Sequence, residues 1–185
     1  MEQTLVIFKP DAVQRGLIGE ILSRFERVGL KIVGMKMLVP SQQTLKKHYP
    51  DSRIKSLGEK TKKDWDAYGV KTDETVEEIG QMVINSLREF MCSSPVVAVI
   101  LEGGHAVEIV RKLVGSTGPK DSLPGTIRGD FAHLSLGRAS LARKVAINLL
   151  HASGTVEEAK FEIPLWFKPD ELFKYTLTHE HFTHV

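Results

Sequence analysis

His151 stands in the run Asn148-Leu149-Leu150-His151-Ala152-Ser153, with Gly154 next. A neutral imidazole carries a free lone pair near pH 7, so a His between an amide and a hydroxyl suits the work of a nucleophile or a general base. Glu162 follows eleven residues later, close enough along the chain to hold the ring by a hydrogen bond. A second set is cationic. Arg111, Thr117 and Arg128 flank or enter a turn-dense stretch, with Lys120 inside it. Guanidinium groups and a hydroxyl around open backbone amides suit phosphate oxygens. That stretch, residues 115–129 (GSTGPKDSLPGTIRG), holds four glycines and two prolines in fifteen residues. A loop of that length is usually functional, although it lacks the Gly-Lys-Ser/Thr ending of a Walker loop. A third cluster is Lys9-Pro10-Asp11, at the carboxyl end of the apolar run TLVIF. Charge there is well placed for a ligand; strand termination by Pro10 accounts for it equally well. His179, His181 and His184, in HEHFTH, lack the carboxylate or Cys framework of a metal site, and no metal is assigned to them.

These groups need a scaffold. Residues 4–8 read as a buried strand, 19–28 as a helix closed by Gly29, and 30–39 (LKIVGMKMLV) as a half-buried strand. Ser41 starts a short helix that Pro50 ends. Residues 52–75 are rich in Lys, Asp, Glu and Gly and read as an excursion from the core, with one short helix. An amphipathic helix follows over 76–91, with Val76, Ile79, Val83 and Leu87 on its apolar face. Then come a strand at 95–101, a helix at 106–114, the long loop, a strand at 131–136, a helix at 139–150 and a helix at 155–163 capped by Thr155. Trp166, Phe167, Phe173 and Tyr175 make the end of the chain too aromatic to be free. Strands alternating with helices argue for one sheet with helices packed on it.

Composition sets the outer bounds. The chain has 185 residues, 25 Lys+Arg against 23 Asp+Glu, 42% hydrophobic and 26% charged residues, which is ordinary for one soluble globular domain. Cys92 is the lone cysteine, so a disulfide scaffold is excluded and a reducing, cytoplasmic setting is expected. The first apolar run is too short for a signal peptide, and the longest, PVVAVIL, too short for a membrane span. Lys60, Lys62, Lys63 and Lys71 are interleaved with Asp64, Asp66 and Asp73, the pattern of a solvated face rather than a nucleic-acid surface.

Taken together, these segments resemble the nucleoside diphosphate kinase family. TLVIFKPDAVQRGLIGEILSRFERVGLKIVGMKML is similar to the family's N-terminal βαβ unit, HYPD to its His-Tyr segment, and SSPVVAVILEGGHAVEIVRKLVGST to its third strand and following helix. PGTIRGDF is a specific family motif. NLLHAS resembles the active-site Asn-x-x-His-Gly-Ser, and EEAKFEIPLWF the Glu-containing helix after it. Two stretches fall outside the likeness, about 52–75 and 139–147, and read as insertions in a single domain spanning 1–185.

The resemblance implies an α+β fold of the ferredoxin-like sandwich type, a four-stranded antiparallel sheet covered by helices. It implies transfer of the γ-phosphoryl group of a nucleoside triphosphate to a nucleoside diphosphate, ping-pong, through phosphohistidine at His151. By the same likeness Glu162 and Ser153 orient the ring, and the phosphorylated atom is Nδ1. Lys9, Tyr49, Arg111, Thr117, Arg128 and Asn148 match nucleotide-binding positions, Lys9 and Tyr49 close to the transferred group. The base lies between Leu136 and an apolar residue for which Leu57 is nearest in register, with Trp65 and Tyr68 as alternatives. Mg²⁺ arrives on the nucleotide phosphates, with no dedicated metal ligands in the chain. The implied partners are nucleoside tri- and diphosphates and further copies of the chain, in tetramers or hexamers built from dimers. A nucleotide-binding regulatory or scaffold relative with impaired catalysis is the alternative. Ala152 replaces the family's glycine, and Gly154 its usual Asp, which weakens any carboxylate support for the metal's water shell.

Overall fold

A computed structural model describes residues 1–145 and 147–183. The chain runs β1 (Glu2–Phe8), α1 (Pro10–Gln14), α2 (Ile18–Arg27), β2 (Lys31–Leu38), α3 (Gln42–His48), α4 (Ile54–Ala67), α5 (Val76–Cys92), β3 (Val96–Gly103), α6 (Ala106–Val114), α7 (Ile127–Phe131), α8 (Leu136–Leu141), β4 (Leu150–Ala152), α9 (Val156–Trp166) and α10 (Glu180–Thr183). The strands pair in the order β2-β3-β1-β4, antiparallel throughout. This is the expected ferredoxin-like α+β arrangement.

The two central strands are apolar over residues 5–8 and 96–101 because helices cover both faces of the sheet. Successive side chains point to opposite faces. Val6, Phe8, Val97, Val99 and Leu101 pack with Ile21 and Phe25 of α2 and Val110 of α6. Leu5, Ile7, Ala98 and Ile100 pack with Leu45 of α3, Ile84 and Met91 of α5 and Trp166 of α9. Pro10 ends β1 and starts α1, where its missing N–H costs nothing. Gly29, with φ +88°, follows α2 as a left-handed cap. Beyond α9 the chain returns to the edge of β2. Phe173 N donates to Val33 O at 2.8 Å, and the Tyr175 hydroxyl to Ile32 O at 2.6 Å.

Four sequence expectations are corrected. Residues 131–136 form no strand. Thr126 and Ser135 cap α7 and α8 by accepting the Gly129 and Arg138 N–H groups, and these hydroxyl caps outweigh the short alternating pattern. The helix expected over 139–150 stops at Leu141. Arg143 then turns left-handed at φ 55°, and Leu150 enters β4; Ala146 in that span lies outside the described residues. Next, 52–75 holds a 14-residue helix, α4, packed closely along α5. A Cβ on Gly58 would stand 1.9 Å from Val76 O, and one on Gly80 2.0 Å from Ile54 O. The two glycines let the helix backbones touch. The buried face of α5 is Ile79, Ile84, Arg88 and Met91. It is rotated from the expected one because Val83 and Leu87 line a cavity instead. No helix among the described residues is long and apolar enough to cross a membrane.

Candidate active site

His151 is the middle residue of β4, paired with Ile7 of β1. The backbone just before it is tightly wound. Leu149 has φ 68°, and Leu150 N donates to Asn148 O at 2.8 Å, a γ-turn of the rare, strained hand. Its surroundings hold it in place. Leu149 N donates to Asp11 Oδ2 at 2.9 Å, and Lys9 N to Leu149 O at 2.8 Å. Arg128 Nε donates to Asn148 O at 3.0 Å, and its Nη2 to Leu150 O at 2.6 Å. Lys9-Pro10-Asp11 therefore anchors the histidine's turn as well as ending a strand.

The ring is fixed on one side. His151 Nε2 lies 2.9 Å from Glu162 Oε2, and the same oxygen accepts from Ser153 Oγ at 2.7 Å. Glu162 and Ser153 are buried. A carboxylate only accepts, so Nε2 carries the hydrogen. Nδ1 keeps the lone pair and makes no hydrogen bond among the described residues. Burial, then the positive charge of Lys9, depresses the His151 pKa to about 3; burial raises that of Glu162. The contact is thus a hydrogen bond from a neutral ring rather than an ion pair. His48, absent from the sequence-level site, packs its ring edge-on against His151, centroids 4.4 Å apart. Its Nδ1 accepts from Trp166 Nε1 at 3.3 Å, and burial holds it neutral. A lone His in HYPD carries no spacing signal that could have placed it there.

His151 opens on a cavity of about 370 Å³. Lys9, Tyr49, Arg111, Thr117, Arg128 and Asn148, the positions singled out in the sequence, all line it. Lys9 Nζ donates to Asn148 Oδ1 at 2.7 Å, and Asn148 Nδ2 to Thr117 O at 2.8 Å. Burial lowers the Lys9 pKa to about 8 and raises that of the Tyr49 phenol. Arg128 differs from its expected role in detail. Besides the two carbonyls of the γ-turn, its Nη1 donates to Ser116 O at 2.9 Å and Gly115 O at 3.3 Å. Four of its five N–H donors hold backbone. Arg53, also in the lining, had not been singled out. Lys120 pairs with Asp121 at 3.6 Å and lies outside the cavity lining.

Leu57 of α4 and Leu136 of α8 also line the cavity. Trp65 and Tyr68, the alternatives to Leu57, are engaged elsewhere. Trp65 is buried and donates from Nε1 to Ser140 Oγ at 2.8 Å; the Tyr68 hydroxyl meets Ser135 Oγ at 2.8 Å.

For a metal ion, His48, His151 and Glu162 offer donor atoms within 4.8 Å of one another, but His151 Nε2 is engaged by Glu162 and His48 Nδ1 by Trp166 Nε1. Nearer the cavity, Glu158 accepts from Gly154 N at 2.8 Å, and a Cβ at position 154 would stand 2.8 Å from Glu158 Oε2. Glu158 thus puts a carboxylate beside position 154, where the chain has Gly in place of Asp. Two carboxylates, Glu158 and Asp64, among several cations in the lining fit a divalent ion carried on phosphates and keeping its waters, not a protein cage.

Cationic groups around an open imidazole nitrogen suit transfer of an anionic group to that nitrogen. Comparison with known proteins agrees with this chemistry. The model of the family described as nucleoside diphosphate kinase matches residues 2–65 and 76–172. A nucleoside diphosphate kinase of Pyrobaculum aerophilum is 45% identical over 182 residues, 94% of this chain and 99% of that protein. One from Pyrococcus horikoshii is 45% identical, covering 94% of this chain and 90% of its own. Among solved structures, an NDP kinase from Pyrobaculum aerophilum superposes with a TM-score of 0.88 at 42% identity, covering 94% and 99% of the two chains. The transition-state mimic of the Borrelia burgdorferi nucleoside-diphosphate kinase, with bound vanadate and ADP, gives 0.83 at 40%, covering 98% and 96%.

Proposed function

The chain belongs to the nucleoside diphosphate kinase family and is a phosphotransferase, and from that premise we propose that His151 Nδ1 carries the phosphoryl group between two nucleotides. The observation that supports this most strongly is the division of labour on the ring. Nε2–H is held by Glu162, which leaves the Nδ1 lone pair open on a cavity lined with cations. Nδ1 attacks the γ-phosphorus, the bond to the β-phosphate oxygen breaks, and the diphosphate leaves with that electron pair. Glu162 keeps the Nε2 proton and offsets the positive charge that grows on the ring; Ser153 holds Glu162. The second half-reaction is the reverse, with a β-phosphate oxygen of the acceptor attacking phosphorus.

Arg111, Thr117, Arg53 and the remaining N–H of Arg128 hold phosphate oxygens. Lys9, fixed by Asn148, meets the transferred group, and Tyr49 flanks it. Leu57 and Leu136 enclose the base. Mg²⁺, when bound, neutralises phosphate charge, and Glu158 would hydrogen-bond its water shell. The nucleotides are nucleoside tri- and diphosphates, as the ADP of the Borrelia burgdorferi relative suggests. We further propose a single domain with insertions near 52–75 and 139–147, a cytoplasmic setting, and a homo-oligomer. The exposed Met35 and Met37 on the edge strand β2 support the last.

Incubation with [γ-³²P]ATP should give an acid-labile, alkali-stable label on the chain, and unlabelled diphosphate should strip it as triphosphate. A label that is stable to acid, or that no diphosphate removes, contradicts the reading.

A further inference from the structure

Leu149, the left-handed residue of the turn before His151, has both backbone groups held by the segment that ends β1. Its N–H donates to Asp11 Oδ2 at 2.9 Å, and its carbonyl accepts from Lys9 N at 2.8 Å. The peptide unit between Asn148 and Leu149 is thereby set between opposite charges. Its N–H meets the Asp11 carboxylate, and its C=O accepts from Arg128 Nε at 3.0 Å. Both hydrogen bonds are charge-assisted. Turned over, the same peptide would set its oxygen against a carboxylate and its hydrogen against a guanidinium, and neither contact can bond. The two charges therefore fix the direction of the peptide on which the turn at Leu149 depends.

Holding that N–H does not itself require a charge, because a neutral hydroxyl or amide oxygen accepts too. Nor does α1 account for the acid. Asp11 stands in its first turn, but a five-residue helix sums few peptide dipoles. The neighbouring cations do call for one. Lys9 and Arg128 are both buried, and each disfavours the charge of the other. Asp11 is buried as well, and its Oδ1 makes no hydrogen bond among the described residues. The titratable and charged groups facing Lys9 are Asp11, Arg128 of α7, His151 of β4 and His48 of α3. Of these, Asp11 is the one whose charge favours the ammonium, and it favours the Arg128 guanidinium in the same way. Asn148 Oδ1, which accepts from Lys9 Nζ, is neutral. Glu158 and Glu162 act on the His151 and His48 rings instead.

We propose that Asp11 is a positioning residue of phosphoryl transfer: it sets the peptide that presents His151, and its charge offsets those of Lys9 and Arg128 in the free enzyme. This rests on the reading above, with Lys9 at the transferred group. Asp11→Asn keeps an oxygen for the Leu149 N–H and removes the charge. A lysine that loses a nearby opposite charge gives up its proton more readily. The alkaline limb of kcat/KM, expected near 8 from Lys9, should therefore move down by about one pH unit. Asp11→Ser, a smaller neutral acceptor, is the second variant and should move the limb the same way. A limb that stays near 8 in a folded variant, with or without a loss of rate equal at every pH, is what a merely structural acid would give and overturns the proposal. An unaltered chain with no alkaline limb fails at the placing of Lys9 and takes this role with it; an alkaline limb that both variants leave in place overturns the role of Asp11 alone.

Discussion

A histidine and a lysine that share one cavity are pushed in the same direction by burial, with different consequences for pH. His151, with its pKa near 3, is neutral throughout the physiological range, so the nucleophile itself imposes no acid limb near its ordinary value of 6.5. Lys9, near 8, loses its charge earlier than a free lysine. kcat/KM, which reports the free enzyme, should be level around pH 6.5 to 7.5 and fall above about 8. A profile level to pH 10 would contradict the placing of Lys9 at the phosphate. Stability follows the same logic. Between pH 6.5 and 3 the unfolded chain binds a proton at position 151 that the folded chain refuses, so His151 makes stability fall as pH falls through that window. Urea midpoints across it measure this, and an unchanged midpoint contradicts it. Glu162→Gln keeps a hydrogen bond to Nε2 but removes the charge opposite the ring; the rate of labelling should drop on the order of 100-fold, and a rate within a factor of two would count against the orienting role. At this scale the sequence was informative where a residue's chemistry is rare for its position, as with His151, Lys9 and Arg111. It was silent where the partner is backbone. Nothing in the type of Arg128 says that it holds four carbonyls, because the paths of the 115–118 loop and of the turn before His151 decide that.

Elements were legible where periodicity was long and burial one-sided. β1, β3 and α6 lie where their apolar patterns put them, whereas β4 is only three residues long and its pairing with β1 is a long-range contact that no local pattern announces. The 52–75 segment misled for a different reason: its buried side chains are few, and α4 is held instead by close backbone approach. That gives a prediction with a definite sign. Alanine for glycine in a helix ordinarily stabilises by about 1 kcal/mol. At Gly58 the new Cβ would meet Val76 O at 1.9 Å, so Gly58→Ala should destabilise by about 1–3 kcal/mol. A lower urea midpoint with an unchanged slope is the expected result; a rise would show that α4 and α5 do not touch there.

For the whole molecule, the sheet leaves β2 at an edge, where Met35 and Met37 are 54% and 58% exposed beyond the stretch that Phe173 and Tyr175 cover, an apolar strip on an edge strand. Light scattering should give a multiple of the chain mass, and Met35→Lys with Met37→Glu should shift it toward the single chain; a monomer before substitution contradicts the oligomer. Trp65 is buried within its own chain against Ser140 and Arg143, so that segment needs no partner subunit to hide it. The central claim is that a whole fold converges on one nitrogen: β4 carries it, α9 orients its ring, and the 115–129 loop and α6 supply charge around it. The most direct test compares the unaltered chain with His151→Ala, each incubated with [γ-³²P]ATP and then assayed for ATP-to-GDP exchange. The account predicts acid-labile label and exchange in the first and neither in the second. Exchange that persists in a folded His151→Ala chain would contradict it.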